Sequence, residues 1–126
     1  NNQPFPIFED VILEQLTEED FVGLYENLEQ NHVILYTFGR SVYHEYFNDH
    51  VPEGIDILWL NERYEIIHLE SVVYCENANE MNYLERLENC HISRAEAKFL
   101  IEAHSGFIET NNIKLKDTVE LRLFEP

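Results

Sequence analysis

Two runs of β-forming residues, Ile55 to Leu60 and Tyr64 to Cys75, are separated by only three polar residues, Asn61-Glu62-Arg63. β-Branched and aromatic side chains suit a pleated surface, and a three-residue break is too short for anything but a tight reversal. The spacing predicts a β-hairpin, and with it an antiparallel sheet. Side chains alternate across a strand. In the second run Ile67, Leu69, Ser71, Val73 and Cys75 therefore share one face, expected to meet the core. Tyr64, Ile66, His68, Glu70, Val72 and Tyr74 share the other, which is chemically mixed.

The rest of the chain is read around this hairpin. Val33-Ile34-Leu35-Tyr36-Thr37-Phe38 predicts a buried strand that ends at Gly39. Thr17, followed by Glu18, Glu19 and Asp20, is suited to open a helix over 18–30. Ser41 is suited to cap a second helix through His50, closed by Pro52 and Gly54. After the polar turn Asn77 to Asn82, Met81, Leu84 and Leu87 form a helical stripe that Asn89-Cys90-His91 breaks. Ser93-Arg94-Ala95-Glu96 has the form of a capping box, and Ala97, Leu100, Ile101 and His104 continue it as a helix before Gly106. Thr118 to Phe124 predicts a final strand, and Phe5 to Leu16 reads equally as strand or helical turn. The expectation is an α+β fold: a single domain over 1–126, mostly antiparallel sheet with a central hairpin and about four helices packed on it.

With 44% hydrophobic residues the chain can build a core without metal or disulfide staples. Cys75 and Cys90 form no Cys-x-x-Cys pair. They are expected as free thiols in a reducing cytoplasm, with a disulfide as the alternative. No apolar run approaches the roughly 20 residues of a membrane helix. Asn1-Asn2-Gln3-Pro4-Phe5-Pro6 lacks the basic and apolar regions of a signal peptide. The expected location is cytoplasmic.

Charge narrows the function classes further. The net charge is −17, and residues 1–93 hold 19 acids against 3 bases, whereas residues 94–126 hold 6 against 5. Direct contact with nucleic acid or an anionic membrane needs Lys and Arg, so both are disfavoured. A basic protein partner is favoured, with the chain itself a monomer or weak dimer.

Candidate chemistry is sparse. In Tyr43-His44-Glu45-Tyr46-Phe47-Asn48-Asp49-His50 the two histidines lie six apart. On a helix they would point about 240° apart, so they cannot share a metal as two histidines four apart would. No metal site and no cofactor are expected. His68 and Glu70 are two apart on one strand face, with Tyr64 and Tyr74 near, and form the best acid–base candidate. Nothing resembles a nucleophile elbow, a phosphate loop or a cofactor fingerprint, and no catalytic residue is assigned.

The stretches YHEYFNDHVPEGID and LNERYEIIHLESVVY interleave acids with aromatics. In its small size, strong acidity and lack of a catalytic motif, the chain resembles the immunity proteins that bacteria pair with nuclease toxins, including contact-dependent growth inhibition systems. That resemblance implies a non-enzymatic inhibitor that occludes the active or substrate-binding site of a cognate basic nuclease toxin. The expected contact residues are Glu45, Asp49, Glu53, Glu62, Tyr64, Glu65, His68, Glu70 and Tyr74. The alternatives are a small enzyme using His68 and Glu70, or an acidic interaction module or nucleic-acid mimic.

Overall fold

The computed structural model describes residues 33–120 together with Pro4–Pro6 and Val11–Glu14. The chain runs β1 (Pro4–Pro6), β2 (Val11–Glu14), β3 (Val33–Tyr46), β4 (Ile55–Leu60) and β5 (Ile66–Val72). A 3-10 turn (Ala78–Glu80), α1 (Tyr83–Asn89), β6 (Ser93–His104), α2 (Phe107–Thr110) and β7 (Thr118–Glu120) follow. The main sheet has the order β2-β3-β6-β4-β5, and β1 pairs with β7 in a second, two-stranded sheet. The pairs β3–β6, β6–β4 and β4–β5 are antiparallel, and β2 joins β3 in parallel.

The hairpin expected at 55–75 is present as β4 and β5. Its turn is fastened by the Asn61 side chain, whose Oδ1 accepts from the backbone N–H of Arg63 and of Glu65. Tyr64 sits there at φ 60°, a left-handed conformation that is uncommon for a tyrosine.

The expected four helices are not what forms. Among the described residues there are two α-helices, of seven and four residues. The span 41–50, expected as a helix, forms the second half of β3 and a short loop. The span 93–104, also expected as a helix, is the central strand β6. Tertiary pairing overrides local propensity in both cases. β6 is hydrogen-bonded on both sides and buried without interruption from Phe99 to Ala103, so its apolar run carries no two-residue period. The helix expected at 18–30 and the end of the last strand, 121–124, lie outside the described residues.

The face expected for β5 is reversed in part. A bulge sets Trp59 opposite His68 but Leu60 opposite Ile66, which leaves Ile67 as the extra residue. Ile67 and Val73 are exposed, while Ile66 and Val72 are buried. His68, Glu70 and Val72 therefore face the same side as Trp59, Ile57 and Ile55.

The long β3–β6 ribbon does not run straight. Residues 38–41 of β3 stand against the single residue Lys98, with Gly39 at φ 81°. Tyr46, paired with Ser93 at the far end, donates its hydroxyl to Glu102 at 2.7 Å. Nine residues of straight strand would separate Ser93 from Glu102 by about 30 Å, so the ribbon folds back over the sheet. Beyond its end, Asn48 bridges Tyr74, and its backbone oxygen accepts from Cys75 N–H at 2.8 Å. That contact returns the end of β3 to β5 and closes the sheet.

Two apolar clusters result. Inside the closed sheet lie Ile34, Tyr36, Tyr46, Val51, Ile55, Ile57, Trp59, Val72, Ala97 and Leu100. On the opposite face Val33, Leu35, Leu58, Leu60, Ile66, Phe99 and Ile101 pack with Phe107, Ile113 and Val119. No helix among the described residues is long and apolar enough to cross a membrane.

Candidate functional site: two carboxylates in the folded sheet

Register places two carboxylates on one row of the enclosed face. Glu102 of β6 stands opposite Ile57 of β4, and Ile57 stands opposite Glu70 of β5. Strands lie about 4.8 Å apart, so the two acids are roughly 10 Å apart across Ile57 at the backbone.

Glu70 is the surface member, with its side chain 20% exposed. His68 and His91 each direct Nε2 at it, His68 to Oε2 and His91 to Oε1. Ser93 Oγ donates to Oε2 at 2.6 Å and accepts from the buried Trp59 Nε1 at 2.8 Å. Hydrogen-bond donation from Ser93, His68 and His91 outweighs partial burial and holds the Glu70 carboxyl below its ordinary range. Facing a carboxylate, each Nε2 must carry the proton. Nδ1, on the far side of a half-exposed ring, then presents a lone pair in the neutral ring and an N–H in the imidazolium.

The elements converge for identifiable reasons. His68 and Glu70 are two apart on β5, as the sequence predicts. His91 arrives because Cys75, just past β5, and Cys90, just past α1, form a disulfide with Cα atoms 5.3 Å apart. The expected free thiols are thus corrected: the 15-residue separation is closed by a covalent bond. Ser93 enters because β6 begins there and its first residues fold over Trp59. Sequence reasoning missed His91, Ser93 and Trp59. The proximity of Cys90 to His91 was the one signal that could have brought His91 in.

Glu102 is the interior member. Fully buried, it accepts from the hydroxyls of Tyr36 at 3.1 Å and Tyr46 at 2.7 Å. Burial pushes its carboxyl up, against the opposing pull of these hydroxyls and of nearby His50. Tyr36 is pushed up as well, first by burial and then by Glu102. His44, also off the sequence-level site, stacks on Phe38 at 3.7 Å and faces Trp59 at 6.0 Å. Burial lowers its pKa.

The remaining expected contact residues are dispersed. Glu45 accepts from Arg94 Nε at 3.0 Å and from the hydroxyls of Tyr43 and Tyr83, and its carboxyl is lowered first by Arg94. Asp49 pairs with His50 Nδ1 at 2.9 Å. Glu65 is held by Asn61 at 2.8 Å and Arg63 at 3.1 Å. Tyr64 stacks on Phe99 at 4.7 Å and, partly buried, packs against the apolar core. Tyr74 is exposed beside the closing bridge, and Glu53 and Glu62 are exposed at turns. Among the described residues no group of three His, Cys, Asp or Glu is set to hold a metal ion.

A family model described as DUF192, an Uncharacterized ACR, matches residues 10–121. No curated protein matches the chain. Among solved structures, a protein of unknown function from Novosphingobium aromaticivorans DSM 12444 is similar with TM-score 0.62 and 16% identity, over 88% of this chain and 74% of the other. A protein from Sinorhizobium meliloti 1021, provisionally described as a transcription regulator, is similar with TM-score 0.59 and 11% identity, over 84% and 74%. At these identities the likeness is one of fold.

Proposed function

This chain belongs to the DUF192 family, and for it we propose an acid–base site in which Glu70 orients His68 and His91 toward a small protic ligand. The observation that carries the reading is that two half-exposed imidazoles from separate segments donate to one carboxylate. Ser93 and Trp59 fix that carboxylate from behind. A carboxylate so placed sets the tautomer and aim of each ring, and it balances the charge of one imidazolium. The neutral ring takes a proton from the ligand at Nδ1 while the other ring, as the imidazolium, gives its Nδ1 proton to the ligand and so becomes neutral in turn. Ser93 is not the nucleophile in this reading, because it is buried and its hydroxyl is engaged on both sides. Hydrolysis of p-nitrophenyl acetate, a generic activated ester, tests it in the parent, His68→Gln and His91→Gln proteins. A loss of about 100-fold in either variant, at an unchanged melting temperature, is expected. Equal turnover in all three would overturn the assignment.

A second reading keeps the acidic binding protein for a basic partner, such as a nuclease toxin. The net charge of −17 and the exposed Glu53 and Glu62 support it. The internal bonds of Glu45, Asp49, Glu65 and Glu70 leave fewer of the expected contact acids available. Nothing links the chain to immunity proteins beyond general character. On either reading the Cys75–Cys90 bond favours an oxidising compartment over the cytoplasm.

A further inference from the structure

α1 is ordered without a buried face. None of its residues is buried, and Tyr83 and Leu84 are 56% and 69% exposed. What holds it is local. Asn82 and Glu85 form a reciprocal capping box. The disulfide ties its C-terminal end to β5. Arg86 Nε donates to Ala78 O at 2.9 Å, and its guanidinium lies 5.0 Å over the Phe47 ring. A seven-residue helix is too short to persist on propensity alone, so these ties keep an apolar surface presented to solvent.

That surface continues onto β3. The hydroxyls of Tyr83 and Tyr43 both donate to Glu45, which also holds Arg94. The two exposed tyrosines are thus fixed by one carboxylate rather than left free to rotate. Aromatic anchors that lose little entropy on contact are favoured in interfaces. On the β3 side Arg94 balances Glu45, and the acidity of the surroundings comes from α1 and the segment before it. Between residues 76 and 89 stand Glu76, Glu80, Glu85 and Glu88 against Arg86 alone, and Arg86 is turned onto Ala78 and Phe47.

We propose that the surface formed by Tyr43, Tyr83 and Leu84 docks a basic segment of a protein partner, with an apolar anchor on Leu84 and flanking Lys or Arg facing Glu80 and Glu88. The charge decides the occupant. A second copy would bring another −17 against the patch, and an anionic lipid surface would be repelled. The inference rests on the basic-partner reading and assigns that reading a place. It lies on α1 and β3 rather than on the hairpin.

The test uses the full oxidised chain and synthetic 12-residue peptides that carry one Leu or Phe flanked by Lys and Arg, with charge-reversed peptides as controls. Backbone NMR shifts and titration affinities are read at low and high salt. Basic peptides should shift Tyr83 and Leu84, bind more weakly as salt rises, and lose about tenfold in affinity in Leu84→Ser. Leu84→Ser should fold as the parent does, since the side chain is exposed. Binding abolished by reversal of Glu53 and Glu62 but indifferent to Leu84→Ser would overturn the location and leave the basic-partner reading standing. Absence of any binding, or equal binding of acidic peptides, would overturn both. Concentration-dependent dimerisation lost in Leu84→Ser would make the occupant a second copy and overturn the proposal.

Discussion

Replacing each acid of the Glu102–Ile57–Glu70 row with glutamine should move stability in opposite directions. Glu70→Gln keeps the shape but removes the charge that Ser93, His68 and His91 address. A hydrogen bond to a charged group contributes about 1.5–3 kcal/mol and a neutral one about 0.5–1.5, so each of three bonds loses about 1 kcal/mol. The new amide also sets a donor against an imidazole N–H. With two rings half-exposed, a total loss of about 2 kcal/mol is expected. For a domain of this length that lowers the melting temperature by roughly 8 °C. Glu102→Gln loses no bond, since its oxygen still accepts from Tyr46 and its amide donates to the Tyr36 oxygen once that hydroxyl turns. It removes a carboxyl whose ionised form burial disfavours, a cost the neutral amide does not carry, so a gain of about 1 kcal/mol is expected.

The pH dependence separates the two further. Glu70 is depressed in the fold, so its contribution is present above the ordinary carboxyl value of 4.5 and is lost as pH falls through its folded pKa. The Glu70→Gln deficit should therefore close on acidification. Glu102 is raised, so the fold loses stability as pH climbs from 4.5 through the folded pKa. The Glu102→Gln advantage should open over that same rise. Thermal melts from about pH 3 to pH 9 check both. If Glu70→Gln melts with the parent at neutral pH, or Glu102→Gln falls as far as Glu70→Gln, the assigned roles are wrong.

Three further outcomes follow from the fold. Reducing Cys75–Cys90, or replacing both with serine, should cost about 3 kcal/mol, the amount for a closed loop of about 15 residues; the amides of 76–91 should lose hydrogen-exchange protection first. Ser93→Ala leaves the buried Trp59 N–H without its acceptor and should cost about 1–3 kcal/mol by denaturant unfolding. Leu58→Ala opens a cavity in a fully buried strand and should cost about 2–5 kcal/mol in the same assay, whereas Leu84→Ala should stay within about 0.5 kcal/mol of the parent.

The hairpin was legible because its two runs and its three-residue turn lie next to each other in the chain. β6 was not. Ser93 and Glu96 have capping spacing, and Ala97, Leu100, Ile101 and His104 have helical spacing, yet a central strand buried on both faces leaves no alternation to read. The second half of β3 misleads likewise, because Val42, Tyr43, Tyr46 and Phe47 fit a helix until pairing with β6 is known. The alternation along β5 is broken by one bulged residue, Ile67, which puts Ile66 on the opposite face from His68 and which no local signal marks. At the site, His68 and Glu70 were visible as neighbours two apart. His91, Ser93 and Trp59 reach Glu70 through a disulfide and a folded ribbon, which are long-range facts. Glu102 is a single acid in an apolar run of the sequence, and only the tyrosines brought over it by the fold give it a role.

The strand order has a consequence for how the chain is made. β6 lies between β3 and β4 in space but follows both in sequence. As the polypeptide leaves the ribosome, β3 and the β4–β5 hairpin emerge first, each with an edge that has nothing to pair with. At roughly 5–20 residues per second, the interval before Ser93–His104 follows lasts seconds. Buried apolar residues such as Val33, Leu35, Ile57 and Leu58 are solvated throughout that interval. Open edges and exposed apolar strands are what draws nascent chains into mispairing. A protein stalled or truncated before about residue 104 should therefore be a client of chaperones and proteases rather than a stable fragment, and the full chain should fold late, as a unit, when its central strand slides into place.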